Sequence, residues 1–357
     1  MRKILCSLGL LAVAAIALSA CSDSAAPTTS ASGQSGELTS VRVAAVPIAE
    51  TGALWAAVEE GIFERHGLDV EVVPSQGGAQ AIPALLAGDI QFAVAQPFGA
   101  FRADLQDLGI VIISNYANGI TEGTDVNVVV ALESSGITSA RDLEGKRVSV
   151  NSIGAAGDVT IMKAVEDAGG DPYSIEFVEV GFPDVQAQLE AGNIDAAWTP
   201  DPFRSAVLAN GGVPVVYPFQ ATIPGLTVLT NITSQALLDE DPELVTAYSE
   251  AMAEALNWAQ ENPEAVREAI ATNLKVSPEA ASKLVVSVFT PELNVDDVRE
   301  LAELAERLVV IVTNVCLRLF GHIKPADMAT LVAAAVAPRD HAQRFVTDDD
   351  AGQRRVA

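Results

Sequence analysis

Ala87-Gly88-Asp89-Ile90-Gln91-Phe92-Ala93-Val94 and Ala191-Gly192-Asn193-Ile194-Asp195-Ala196-Ala197-Trp198 follow one plan. Each has alanine and glycine, a polar residue, isoleucine, a second polar residue, then an apolar run. Each soon reaches Pro-Phe, at Pro97-Phe98 and at Pro202-Phe203. One such match is weak, but the elements around the two copies repeat as well. Before the first copy, residues 41–46 and 68–73 read as strands. Residues 53–60 read as a helix stopped by Gly61, and Gln76-Gly77-Gly78-Ala79-Gln80 opens a second helix. Before the second copy, residues 146–150 and 175–180 read as strands. Residues 158–168 and 184–191 read as helices, the first following the glycine-containing loop 151–157. Strand–helix–strand alternation predicts an α/β fold of two lobes, with mostly parallel sheets covered by helices.

Two lobes of this plan meet at the carboxyl ends of their strands. Helix N-termini there present unpaired N–H groups and partial positive charge. Gly77, Gly78 and Gly154 let a ligand approach the backbone closely, or simply make tight turns; both readings stand. After Pro224 the pattern changes. Residues 226–230 look like a returning strand. Asp241-Pro242-Glu243, Asn262-Pro263-Glu264, Ser277-Pro278-Glu279 and Thr290-Pro291-Glu292 share one form: a capping side chain, proline at the first helical position, then an acid. They predict a C-terminal helical layer from 242 to 308.

The first forty residues differ. Arg2 and Lys3 precede an apolar run over 4–17, shorter than the ~20 residues a membrane-spanning helix needs. It reads as a signal-peptide core. Leu18-Ser19-Ala20-Cys21 resembles the bacterial lipobox, which implies a lipoprotein signal peptide over 1–20 and lipidation of Cys21. Residues 21–40, rich in Ser, Thr, Ala, Gly and Pro, read as a flexible tether. The expected location is the extracytoplasmic side of the cell membrane, held by the lipid anchor rather than by a spanning helix.

Composition excludes several classes. Lys+Arg number 21 against 47 Asp+Glu, for a formal charge of −26. Phosphate neutralisation needs the opposite balance, so no nucleic-acid partner is expected. At 49% hydrophobic residues the chain has ample core-forming material. Of three cysteines, Cys6 leaves with the signal, Cys21 is lipidated and Cys316 stands alone, so no intramolecular disulfide is expected. The three histidines, His66, His322 and His341, are scattered, and neither a metal site nor a cofactor is expected.

The run Ala57-Val58-Glu59-Glu60-Gly61-Ile62-Phe63-Glu64-Arg65-His66-Gly67-Leu68-Asp69-Val70 resembles an A-x-x-x-G-[FI]-F-x-x-x-G-L-x-V stretch of a known family. Residues 82–96, Ile137-Thr138-Ser139-Ala140-Arg141-Asp142-Leu143-Glu144-Gly145-Lys146-Arg147-Val148 and 191–196 fit too. Together they resemble the nitrate/sulfonate/taurine and thiamine-pyrimidine-precursor solute-binding proteins of ABC importers. The similarity runs from about residue 41 to 308.

That resemblance implies the type II periplasmic binding protein fold, with two crossovers. Lobe one would take 41–128 and 226–308, lobe two 129–225, and 309–357 would be an atypical C-terminal tail. It implies a monomer that captures a small solute, closes on it and delivers it to an ABC permease with its ATPase. By position, candidate ligand-binding residues are Thr51, Gly52, Gly77, Gly78, Ala79, Gln96 and Asn118 from lobe one. From lobe two they are Gly154, Ala155, Ala156, Asp158, Trp198 and Asp201. Trp198 would stack on a planar or apolar part. Asp201 either receives an amine or caps a turn before Pro202; both readings stand. The loops carry no Lys or Arg before Arg204, which favours a sulfonate-like or amine-bearing solute over a bare anion.

The rival class is an enzyme on the same fold. Relatives that make a pyrimidine use their own histidine and a cysteine-rich stretch, and this chain has no such stretch. No nucleophile elbow, P-loop or zinc-protease motif occurs, so no catalytic residue is expected. The tail departs from the family pattern, either as an extra core segment or through an altered reading frame.

Overall fold

The computed structural model describes residues 37–319. The expected signal peptide, the Cys21 lipidation site, nearly all of the 21–40 tether and the tail beyond Leu319 lie outside the described residues.

The described strands are β1 (Thr39–Ala45), β2 (Leu68–Pro74), β3 (Phe92–Ala95), β4 (Ile110–Asn118), β5 (Asn127–Leu132), β6 (Arg147–Val150), β7 (Glu176–Glu179), β8 (Ala196–Pro200), β9 (Gly212–Val216), β10 (Thr227–Ser234) and β11 (Val288–Phe289). They form two sheets, ordered β11-β4-β10-β3-β1-β2 and β7-β6-β8-β5-β9. In the first, β2, β1 and β3 run parallel and β10 lies antiparallel to β3. In the second, β7, β6 and β8 run parallel and β5 lies antiparallel to β8. Each sheet thus has a parallel core joined by one strand that arrives directly from the other lobe. A crossing strand enters from the end where the parallel strands finish, so it runs against them.

The matched octapeptides play matching parts. Gly88 (φ 75°) and Gly192 (φ 67°) sit in the left-handed region just after a helix, where a side chain would be strained. Three residues later, Gln91 Oε1 accepts the backbone N–H of Arg42 in β1 (2.9 Å), and Asp195 Oδ2 accepts that of Arg147 in β6 (2.9 Å). The arginines reach back in turn, Arg42 to the Asp89 carbonyl (2.7 Å) and Arg147 to the Gly192 carbonyl (2.8 Å). Each copy ends a helix, clamps the first parallel strand and feeds the third.

Helices Pro242–Glu261, Pro263–Leu274 and Pro278–Ala281 begin at three of the four predicted starts. Asp241 accepts from Leu244 N (3.0 Å), and Ser277 Oγ accepts from Ala280 N (3.2 Å). The fourth expectation needs correction, because Thr290-Pro291-Glu292 does not open a helix. The Thr290 and Pro291 carbonyls accept the side chain (2.9 Å) and backbone N–H (3.2 Å) of Asn115, which ties the segment after β11 to β4 instead of to a helix. The helix starts instead at Val295, behind Asn294, and runs to Leu319, into the segment expected as tail.

Tyr248 joins the helical layer to the first sheet. Its ring stacks on Phe92 (3.7 Å between centroids, 3° between planes), and its hydroxyl donates to Asn231 Oδ1 (3.2 Å). Among the described residues no helix is long and apolar enough to cross a membrane.

Candidate functional site

The carboxyl ends of β1, β3, β6 and β8 converge on a cavity of about 240 Å³, the place where ligands bind in open α/β sheets. Val46, Ile48 and Glu50 come from the segment after β1, and Gly77, Gly78 and Ala79 from the start of the Gly78–Ala87 helix. Ala95 and Gln96 come from the end of β3. The second lobe supplies Asn151 and Ser152 after β6, Gly154 and Ala155, Phe182, and Trp198 in β8. Asn127, first residue of β5, and Val228 and Leu229 of β10 line the region where the chain crosses between sheets. Two hydrogen bonds span the mouth from one lobe to the other. Arg102 Nη1 donates to the Ile153 carbonyl (3.0 Å), and Asn151 Nδ2 to the Gln76 carbonyl (3.1 Å).

Glu50 is the least expected wall residue, only 1% exposed. It sits in the tight turn Ala49–Thr51, which two anchors fix. The Thr51 hydroxyl reaches the carbonyls of Val46 (2.7 Å) and Ile48 (2.8 Å), and Ala49 N donates to the Asp201 carbonyl (3.0 Å). Glu50 Oε1 accepts from Asn127 Nδ2 (2.7 Å). Glu50 Oε2, Asn127 Oδ1, Asn151 Oδ1 and Trp198 Nε1 are all buried and have no hydrogen-bond partner within the protein. Such groups cost about 1–3 kcal/mol each when left unpaired. Four of them on one small cavity call for solvent or solute.

Burial pushes the Glu50 carboxyl up to about 8. Asp201's charge adds to this, while the Glu50 backbone N–H, Arg204 and the Asn127 amide pull the other way. Burial also pushes Asp158 up to about 6, against the N–H groups of Gly154, Ala155 and Val159. Both carboxyls bind protons more tightly folded than unfolded, so the stability they confer is complete at low pH. It is lost as pH rises to about 6 for Asp158 and to about 8 for Glu50. The ligand-free melting temperature is therefore expected to fall between pH 5 and pH 8, and Glu50→Gln to flatten the part above pH 6. Calorimetry across that range checks it; a wild-type profile that rises over pH 6–8 contradicts it.

The structure brings Gly77, Gly78, Ala79, Gln96, Gly154, Ala155 and Trp198 to the cavity wall. It places the other sequence candidates elsewhere. The Thr51 hydroxyl is spent on its own turn. Gly52 packs under the Pro263–Leu274 helix, where an added Cβ would stand 2.7 Å from Ile270 Cγ1. Asn118 accepts from Asn115 at the end of β4 (3.0 Å). Ala156 is buried in the first turn of the Ala156–Asp167 helix. Asp158 folds back onto that helix start and accepts Gly154 N (2.6 Å) and Ala155 N (2.9 Å), so it occupies the N–H groups that the sequence suggested for an anion. Asp201 is 1% exposed and pairs with Arg204 and Ser205, away from the cavity wall.

Sequence reasoning passed over Glu50, Asn127, Asn151, Phe182 and Arg102. Glu50 directly precedes the sequence candidates Thr51 and Gly52, and Asn127 is the one polar residue of Asn127-Val128-Val129-Val130-Ala131-Leu132. Arg102 lies outside the cleft loops, which carry no Lys or Arg before Arg204; it reaches the rim from the Pro97–Asp104 helix.

A family model described as NMT1/THI5 like matches residues 49–266. A formylaminopyrimidine-binding protein of Halalkalibacterium halodurans is 27% identical over 223 residues, or 62% of this chain and 66% of that protein. The chain thus spans just under two thirds of the length of that relative. A putative ABC transporter periplasmic binding protein of Brachyspira hyodysenteriae is 22% identical over 65% of this chain and 68% of that one. The alkanesulfonate-binding protein SsuA of Xanthomonas axonopodis pv. citri, solved with MOPS bound, matches with a TM-score of 0.65 and 16% identity, over 77% of this chain and 94% of that chain. The shared architecture is the periplasmic binding protein fold.

Proposed function

The chain belongs to the NMT1/THI5-like family, and from that premise we propose that it is the extracytoplasmic solute-binding component of an ABC importer. It holds one small molecule between its lobes and hands it to a permease and its ATPase. The carrying observation is the set of four buried, unpaired polar atoms that both lobes contribute to one cavity. A solute that pairs them favours the closed arrangement, because it makes contacts there that the open form lacks. Lipidation of Cys21 and the tether after it would keep a monomer close to the permease.

Two of the four unpaired atoms, Asn127 Oδ1 and Asn151 Oδ1, are amide oxygens that only accept, which favours an amine-bearing solute such as an aminopyrimidine. The H. halodurans relative, by its name, binds a formylaminopyrimidine. A sulfonate is the second reading, supported by the start of the Gly78–Ala87 helix at the cavity wall and by Arg102 at the rim. Binding is favoured over turnover because the relatives this chain matches are by name binding proteins.

A thermal-shift screen of aminopyrimidines, taurine, alkanesulfonates and nitrate tests the proposal. A solute that binds only the folded chain at a hundred times its Kd adds about 2.7 kcal/mol of stability. At least one of these solutes is expected to raise the melting temperature by several degrees. A flat response across the whole panel contradicts the reading.

A further inference from the structure

We propose that Glu50 is the specificity-determining residue of the cleft. Its Oε2 and the neighbouring Asn127 Oδ1 together meet a solute edge with a lone-pair acceptor beside an N–H donor, as in an aminated nitrogen heterocycle or a primary carboxamide. This rests on the solute-binding reading and adds to it a residue and an edge.

Hydrogen-bond polarity decides which solute edge this wall can meet. Asn127 Nδ2 donates to Glu50 Oε1 at 2.7 Å, so that oxygen is already accepting and the amide's orientation is set. Two atoms of the pair then remain for the cavity, Glu50 Oε2 and Asn127 Oδ1, both buried and unpartnered. An amide oxygen only accepts. Glu50 Oε2 donates when the carboxyl is protonated.

The surroundings favour the protonated form. The charged groups that face Glu50 are Asp201, in the loop after β8, and Arg204, from the following helix. These two form a buried ion pair with each other, so the pull of Arg204 towards an ionised Glu50 is offset by the charge of Asp201. Tyr116 of β4 also faces it, but its hydroxyl accepts from Leu54 N (2.8 Å). With burial pushing the carboxyl up to about 8, Oε2 keeps its proton at neutral pH. The wall therefore offers one donor beside one acceptor. A heterocycle with an amino group next to a ring nitrogen matches both. Nitrate and an alkanesulfonate have acceptors only and leave Asn127 Oδ1 unpaired, which is a strong basis for rejection.

The test is titration calorimetry with 4-amino-2-methylpyrimidine at pH 7.5 and pH 9.5, with ethanesulfonate and nitrate as donorless controls. Wild type, Glu50→Gln and Glu50→Leu are compared. Wild-type affinity for the pyrimidine is expected to fall more than about tenfold at the higher pH, since each unit above the carboxyl's pKa removes about a factor of ten in the protonated form. Glu50→Gln keeps an N–H donor and a C=O that do not titrate, so its affinity stays within about threefold and shows no such fall. Glu50→Leu weakens binding at least about tenfold. It lowers the melting temperature as well, because it strands the buried Asn127 amide donor, so its affinity is measured at a temperature where the variant is fully folded. Equal wild-type affinity at the two pH values, or undiminished binding by Glu50→Leu, overturns the assignment. If a donorless control binds and the pyrimidine does not, the Glu50 assignment fails while the solute-binding reading stands. If no probe binds, the Glu50 assignment fails, and the solute-binding reading fails with it only where the whole thermal-shift panel is flat as well.

Discussion

Asp201→Ala is expected to cost about 3–5 kcal/mol of stability, the range for breaking a buried ion pair by removing one partner. The sequence allowed Asp201 to receive an amine from the solute. The structure employs it in the frame. Its carboxylate pairs with Arg204 and accepts the Ser205 hydroxyl (2.6 Å) and backbone N–H (3.2 Å) and Val285 N (3.4 Å). Arg204, only 4% exposed, also donates to the Asp125 carbonyl in the segment that crosses between lobes (2.7 Å). This network therefore joins the end of β8, one crossover and the helical layer. Alanine at 201 strands a buried guanidinium. Arg204→Met is expected to be destabilising as well, and the double substitution Asp201→Ala/Arg204→Met to cost clearly less than the two single effects added together. Urea denaturation measures all three. An Asp201→Ala protein as stable as wild type, yet unable to bind solute, would return Asp201 to the ligand.

Trp198 carries the second large effect. It is 1% exposed and packs between Phe182 and Phe219, each 5.7 Å away between ring centroids. Gly157 makes room for it, because a Cβ there would lie 2.9 Å from Trp198 Cε3. Trp198→Ala leaves a hole where the cavity wall stood and is expected to cost about 3–5 kcal/mol. Trp198→Phe separates packing from recognition. It keeps an aromatic surface but removes Nε1–H, so solute affinity is expected to fall roughly five- to tenfold with a smaller loss of stability. Calorimetric titration beside urea denaturation gives both numbers. Undiminished affinity in Trp198→Phe would remove the indole N–H from the recognition scheme.

The features the sequence disclosed are those encoded locally. The octapeptide repeat announced two equivalent lobes, since a left-handed glycine and the polar clamp three residues later are local requirements. Proline after a capping residue marked three helices for the same reason. Thr290-Pro291 carries the same signature and fails, because Asn115 of a distant strand takes its carbonyls. Tertiary pairing overrode the local preference there.

The cleft shows the same division. Glycines at helix starts were visible. Glu50 was not, because what makes it special is burial and an amide 77 residues away in the chain. Asp158 was legible in principle, as an acid three residues after Ala155 is well placed to accept the N–H groups before it. Reading it as a ligand residue ignored that nearer use.

The most direct check is a crystal structure of the protein with a solute that stabilises it in solution. One molecule should lie enclosed in the cavity, within hydrogen-bond distance of Glu50 Oε2 and Asn127 Oδ1 and against the Trp198 indole. A solute held on the outside of either lobe, with the cavity filled only by water, would contradict the account.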